Sequence, residues 1–224
     1  MPKKFDKNYW NFERKIRSGY TFDGLFPILS RYVNWIGKYT NGKVRILDIG
    51  CGFGYFLKFC DKMGWETYGI DISSYAINVA KKNTKAQLYL YNIENVGKSL
   101  FKENYFDLIT MFDVIEHLTY PVIVLKEVHK ILKLNGKLVI TTPNLNAIQR
   151  IFLKALVKEK LWYGFLDETH VHLFTPFSLR TFIEETGFRI LELKTPFHPL
   201  PVPLNRILEK TGLGGQIWLL AEKS

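Results

Sequence analysis

The stretch from Val44 to Ser73 constrains the fold of this chain more than any other. It reads VRILDIGCGFGYFLKFCDKMGWETYGIDIS. Val44 to Leu47 is a short aliphatic run of the kind found in strands buried on both faces. Asp48 follows, and then glycines at positions 50, 52 and 54. Glycines at alternate positions let the backbone turn tightly and approach a ligand with no Cβ in the way. Tyr55, Phe56, Phe59 and Met63 recur at helical spacing, which predicts a helix over 55–63 with Gly64 as its C-terminal cap. A second strand, Glu66 to Ile70, delivers Asp71 about twenty residues after the first glycine, where a strand–loop–helix–strand unit offers a carboxylate to a ribose.

The rest of the chain continues this rhythm. Apolar periodicity predicts two helices ahead of the unit, Phe5–Arg17 and Phe22–Lys38, within an N-terminal helical segment 1–40. After Asp71 come a helix capped by Ser73 or Ser74 and reaching Lys82, a strand at Gln87–Tyr91, and a loop or broken turn at 94–104. Phe106–Phe112 is a fourth strand. A helix then starts near Pro121 and ends at Leu132. Leu134-Asn135-Gly136 reads as a turn, and Lys137–Thr141 as a fifth strand. Residues 144–174 look like a lid-like insertion, with a helix over 145–158 followed by a mix of aromatic, acidic and histidine residues. Thr175-Pro176 opens another helix that ends at Gly187. Phe188–Lys194 and Gln216–Ala221 are the last two strands. Alternation of strands and helices predicts an α/β, doubly wound, mostly parallel seven-stranded sheet in one domain over 1–224.

Composition narrows the function classes. Apolar content of 47% and aromatic content of 15% exclude a disordered chain. No apolar run approaches the roughly 18 residues of a membrane span. The first residues lack the apolar stretch of a secretory signal. Two cysteines, Cys51 and Cys60, make neither a disulfide framework nor a metal pattern, so a reduced, cytoplasmic protein is expected. The net charge is +10. It suits an RNA or acidic partner, but the lysines are scattered and no RNA-binding motif accompanies them, so a nucleic-acid partner is not favoured.

The glycine loop distinguishes two cofactor classes. Dinucleotide sites carry G-x-G-x-x-G and seat a pyrophosphate on the helix N-terminus. Here the spacing is G-x-G-x-G, with Tyr55 and Phe56 where a third glycine would fall. Asp48, two residues before the glycines, repels a pyrophosphate and suits a cation. The pattern resembles motif I of the class I S-adenosylmethionine (SAM) methyltransferases, a Rossmann-like fold. The resemblance spans roughly residues 40–192 through VRILDIGCGFGYFL, YGIDIS, FDLITMFDVIEHL, LKLNGKLVITTPN and THVHLFTPFSLRTFIEETGF. These segments run in the order seen in the O-methyltransferases of ubiquinone biosynthesis. The departure is Phe53, which stands where a small residue is common.

The resemblance implies SAM as cofactor and S-adenosylhomocysteine (SAH) as product. It implies cofactor contacts from Asp48, Gly50, Cys51, Gly52, Gly54, Asp71, Ile72, Asn92, Ile93 and Phe112. Asp71 is expected on the ribose hydroxyls, Asp48 near the cationic methionine end, and the Asn92 carbonyl on the adenine amino group, where the family often has an acid. Tyr9, Trp10 or Tyr20 is expected to cover the cofactor.

The chemistry is expected after the fourth strand. Methyl transfer from a sulfonium is an in-line displacement, so the protein mainly positions the partners. An oxygen nucleophile must also lose a proton, to a base or with help from a metal. His117, Glu116 and His170 are the catalytic candidates, His117 as the base. In the ubiquinone-related enzymes the residues matching Asp113, Glu116 and His117 look like a divalent-metal site. That alternative is not favoured here, since histidine is a poor Mg²⁺ ligand and Asp113 is short. The competing structural readings are a helix cap for Glu116 and His117, and simple packing for His170 and His172. The expected function is methylation of a small-molecule, lipid-like or glycan acceptor at a hydroxyl oxygen. An RNA or tRNA methyltransferase and a non-catalytic SAM-binding partner protein are the other two readings.

Overall fold

A computed structural model describes residues 5–16, 21–95, 100–147, 169–197 and 209–224. The order of elements among them is α1 (Lys7–Ile16), α2 (Phe22–Ile36), β1 (Arg45–Ile49), α3 (Tyr55–Lys62), β2 (Glu66–Asp71), α4 (Ser74–Ala80) and β3 (Gln87–Leu90). There follow β4 (Phe106–Phe112), a 3-10 turn (Ile115–His117), α5 (Pro121–Ile131), β5 (Leu132–Pro143), α6 (Pro176–Glu184), β6 (Phe188–Lys194) and β7 (Gln216–Lys223). Seven strands form one sheet in the order β3-β2-β1-β4-β5-β7-β6. The expected α/β, mostly parallel sheet is therefore present, with β7 antiparallel to both β5 and β6. No helix among the described residues is long and apolar enough to cross a membrane.

The chain divides into two compact units. One comprises Met1–Thr110 with Ile131–Lys133, the other Met111–Lys130 with Leu134–Ser224. In the first, β1 pairs in parallel with β2, and β2 with β3. β1 and β2 are buried along nearly their whole length, because helices cover sheet faces in this architecture. Ile46, Leu47, Ile49 and Ile70 form the strand side of that core, and Leu57 of α3 closes on it. The approach is close at Gly69, where a Cβ would stand 2.6 Å from Leu57 Cδ1 and 2.8 Å from Leu88 Cδ2. In the second unit, β7 lies between β5 and β6, and Leu138, Ile140, Leu219 and Leu220 are fully buried. The α6 helix opens with a capping box, in which Thr175 and Ser178 satisfy each other's backbone N–H groups.

Several element ends shift by one or two residues; β5 departs furthest, and β7 also runs longer than expected. Extended backbone begins at Leu132, directly after α5, and passes through the predicted turn with Asn135 at φ 61°. Asparagine tolerates the left-handed region, so the chain makes its bend inside the strand without a loop. β7 extends to Lys223, two residues beyond the expected end. There Glu222 accepts from both Lys137 and Arg189, on the strands to either side. The helix expected over 145–158 and most of the lid-like insertion lie outside the described residues.

Leu219 has no exposed surface. Leu219→Ala is expected to cost about 2–5 kcal/mol, from the lost burial and the cavity left behind. Urea denaturation of the two proteins measures it.

Candidate active site

The first unit builds a cradle at the carboxyl ends of β1 and β2. Gly50, Gly52 and Gly54 have φ of 72°, 51° and 73°. Side chains with a Cβ resist that region, so the alternate glycines are a backbone requirement. At Gly54 a Cβ would also stand 2.9 Å from Thr84 Cγ2. The N–H groups of Gly50 and Cys51 both donate to the Ile70 carbonyl, at 2.8 and 3.0 Å. Gly52 N–H donates to Asp71 Oδ2 at 2.9 Å, and Ser73 N–H donates to Asp71 Oδ1 at 2.7 Å. Asp71 thus ties the glycine loop to the end of β2 and, with Ile72 N–H as a further donor, still has acceptor capacity for a ligand hydroxyl. Burial pushes its carboxyl above the usual range, against the pull of those backbone donors.

The neighbouring residues separate into those facing outward and those facing the core. Ile72 is 47% exposed beside the acid, an apolar surface suited to the face of a purine. Asn92 Oδ1 already accepts from Glu94 N–H at 3.0 Å, so its carbonyl has one lone pair left for an amino group. Ile93 is half-buried next to it. Cys51 and Phe53 are buried. The Cys51 side chain faces the core, and burial holds its thiol pKa well above normal. Phe53 does not crowd the loop: its ring packs on Trp10, with centroids 4.7 Å apart, in a cluster with Ala76. The Trp10 indole N–H donates to Ser73 Oγ at 3.2 Å, which attaches α1 to both sides of the cradle. Tyr9 packs on the same cluster, and Tyr20 lies outside the described residues.

Asp48 is buried at the end of β1, where Thr110 Oγ1 donates to its Oδ1 at 2.7 Å. Desolvation, with a smaller contribution from Asp71, pushes its pKa up to about 7 against that hydroxyl. A carboxyl so placed gains from a nearby cation.

The second unit gathers the acids and histidines expected to carry the chemistry. Phe112, which ends β4, is half-buried. Asp113 comes next, at φ 53°. Its N–H donates to Thr141 O at 3.0 Å, Thr141 Oγ1 donates to its Oδ1 at 3.2 Å, and Gln216 Nε2 lies 3.2 Å from both of its carboxylate oxygens. Glu116, on the following 3-10 turn, is 1% exposed and accepts from Thr142 Oγ1 at 3.0 Å. His117 Nδ1 is held by Thr169, 2.9 Å from the hydroxyl and 3.2 Å from the carbonyl. Val171 and His172 donate their N–H groups to the Glu116 carbonyl at 2.8 and 3.0 Å. That strap brings the His170 ring to 4.7 Å from the His117 ring, centroid to centroid. Among the described residues, one potential ligand atom from each of Glu116, His117 and His170 lies within 4.8 Å of the others. The expected catalytic three therefore come together, whereas Asp113 is engaged by Thr141 and Gln216. The supporting residues Thr110, Thr142, Thr169 and Gln216 were not singled out in the sequence. A signal was present for two of them: Thr110 and Thr142 are hydroxyls near the ends of otherwise apolar strands.

A methyltransferase-domain family model matches residues 20–193. The chain belongs to this methyltransferase family. The ubiquinone biosynthesis O-methyltransferase of Coxiella burnetii is 26% identical over 200 residues, 87% of this chain and 82% of the relative. The enzyme of that name from Colwellia psychrerythraea is 29% identical over 154 residues, 66% of this chain but only 62% of the relative's length. Among solved structures, a SAM-dependent methyltransferase from Archaeoglobus fulgidus superposes with a TM-score of 0.71, at 22% identity, over 96% of this chain and 99% of that one. The plantazolicin methyltransferase BpumL, in complex with a pentazolic desmethylPZN analog and SAH, has a TM-score of 0.66 at 21% identity, over 95% and 91% of the two chains. This chain is thus a SAM-dependent methyltransferase.

Buried Asp48 sets a pH test of the methyltransferase. Its folded pKa of about 7 lies above the unfolded value of 3.8. Below about pH 4 both states hold the proton and nothing is lost. As pH rises from about 4 to 7 the unfolded chain ionises first, so folding stability falls, by on the order of 4 kcal/mol in all. Asp48→Asn keeps an acceptor for Thr110 and is expected to lack this fall. Paired urea titrations at pH 4, 6 and 8 measure it, and parallel curves for the two proteins would refute it.

Proposed function

We propose that the enzyme transfers the methyl group of SAM to a hydroxyl oxygen of a small-molecule acceptor, lipid-like or a glycan precursor. The carrying observation is the assembly of Glu116, His117 and His170 in one cluster on and beside the turn after β4. Nitrogen and sulfur nucleophiles can react with less help, but a hydroxyl must shed its proton as the new bond forms. In the balanced step, the acceptor O–H breaks, an O–CH₃ bond forms, and the sulfonium–CH₃ bond breaks. SAH leaves, and the proton passes to the His117 group or to solvent. The curated relatives, named as O-methyltransferases, support the oxygen acceptor.

In this reading the cradle of the first unit holds SAM. Asp71 takes the ribose hydroxyls on its remaining lone pairs, Asp48 faces the cationic methionine end, Ile72 and Ile93 flank the adenine, and Asn92 meets its amino group. Gly50, Cys51, Gly52 and Gly54 contribute backbone. The net charge of +10 favours an RNA or tRNA acceptor as the second reading.

Incubation with methyl-labelled SAM, a panel of phenolic lipids and glycans, and bulk tRNA tests the choice. Label in a hydroxylated small molecule is expected. Label in tRNA alone, from binding that weakens steeply with salt, would reverse the assignment. Asp71→Ala is expected to lose about 2–4 kcal/mol of SAM affinity by calorimetry, since charge-assisted contacts disappear. His117→Ala is expected to lower turnover by about 10²–10⁴-fold with SAM affinity nearly unchanged. Wild-type turnover by a folded His117→Ala enzyme would make that histidine a structural cap.

A further inference from the structure

The resemblance noted in the sequence implies a hard-ion site from Asp113, Glu116 and His117, and this chain does not assemble that set. Asp113 spends its carboxylate on Gln216 and Thr141. A second imidazole, that of His170, stands with Glu116 and His117 instead. We propose that Glu116, His117 and His170 form a site for one divalent ion of the zinc, manganese or ferrous class, and not for Mg²⁺.

The donor chemistry carries the choice of ion. Mg²⁺ takes oxygen ligands in a near-ideal octahedron. Two imidazoles and one carboxylate suit borderline transition-series ions. The objection to a metal in the sequence, that histidine is a poor Mg²⁺ ligand, therefore becomes an argument for a different metal.

The site is also built on all sides. Glu116 is 1% exposed, so its carboxylate has left water and gains strongly from a cation. Thr142 orients it through Oε2. Thr169 fixes the His117 ring through Nδ1, the kind of outer support that metal-ligating imidazoles have. The paired N–H donors of Val171 and His172 on the Glu116 carbonyl clamp the backbone on the C-terminal side of His170. Glu116 and His117 are thus each oriented by a threonine that is not itself a ligand, and the segment of His170 is tied to the Glu116 backbone. Three protein ligands leave coordination positions open. When bound, such an ion would supply Lewis acidity that lowers the pKa of a coordinated hydroxyl, and the proton would then pass to solvent, because a ligating His117 has no ring nitrogen left to act as base. That role rests on the oxygen-acceptor reading above, whereas the binding of the ion does not.

Tag-free protein stripped of metal, titrated with Zn²⁺ against a chromophoric chelator, tests the site without any acceptor. One equivalent of tightly bound Zn²⁺ is expected, undisturbed by millimolar Mg²⁺. His170→Ala and His117→Ala are each expected to weaken binding by about 100-fold or more, beyond the tenfold to 100-fold typical of outer-shell changes. Asp113→Asn is expected to leave it within about threefold, because that residue is not a ligand. His170→Gln, checked by near-UV circular dichroism, repeats the test where the alanine variant fails to fold. Absence of stoichiometric binding would overturn the proposal. So would binding that survives the His170 variants and is lost in Asp113→Asn. Because the readout is metal on the protein alone, its failure leaves the acceptor reading standing. Stoichiometric zinc on an enzyme that methylates only tRNA would overturn the acceptor reading alone.

Discussion

The Asp71 carboxylate receives the N–H of Gly52 on one oxygen and the N–H of Ser73 on the other, and the glycine cradle depends on that pair of bonds. The first bond closes the glycine loop onto the end of β2. The second bends the chain from β2 into α4, whose N-cap is Ser73. A buried carboxylate is costly unless donors surround it, and here the donors are the backbone of the loop that it organises. The geometry is possible only because three glycines hold positive φ and Gly69 lets Leu57 close on the sheet. Ser73 is engaged twice more, since its hydroxyl caps α4 and takes the indole N–H of Trp10. One acid thereby connects two strand ends, two helices and the N-terminal segment.

A second device recurs through the molecule. Three acids, one in β1 and two just after β4, are each oriented by a threonine hydroxyl from another strand: Asp48 by Thr110, Asp113 by Thr141 and Glu116 by Thr142. A hydroxyl is small enough to sit within a buried strand and can donate one bond without bringing a charge. Thr110 and Thr142 flank this pattern at 0% exposure, so neither is a surface residue that strayed inward. The consequence differs between acids. At Asp48 one hydroxyl does not offset desolvation, and the pKa stays near 7. At Asp113 the threonine and Gln216 together engage the carboxylate, which takes this residue out of the Glu116, His117 and His170 cluster.

Much of the fold was legible because local chemistry and tertiary demand agree in its βαβ unit. The glycine spacing, the apolar strands and the acid at the end of β2 each admit few alternatives, and β1, α3 and β2 were placed within two residues of their ends. Misreadings occurred where a residue satisfies two local rules. Leu134-Asn135-Gly136 looks like a turn, yet an extended chain can pass through it when asparagine takes the left-handed region. Phe53 stands where a small residue is common, and its ring has a buried home against Trp10 that no short-range pattern announces.

The sequence by itself determined the sheet class, the glycine cradle, Asp71 and the presence of an acid-rich turn after β4. These follow from spacing within some thirty residues, where backbone period and steric tolerance operate. Tertiary structure alone decided which side chains share a site after that turn. His170 lies more than fifty residues beyond His117, and it arrives because two backbone N–H groups of its segment bond to the Glu116 carbonyl. Asp113 lies three residues before Glu116, and it is absent because Gln216, about a hundred residues away, donates to it. Hydrogen bonds across such separations are set by strand order and register, which no local window of sequence contains.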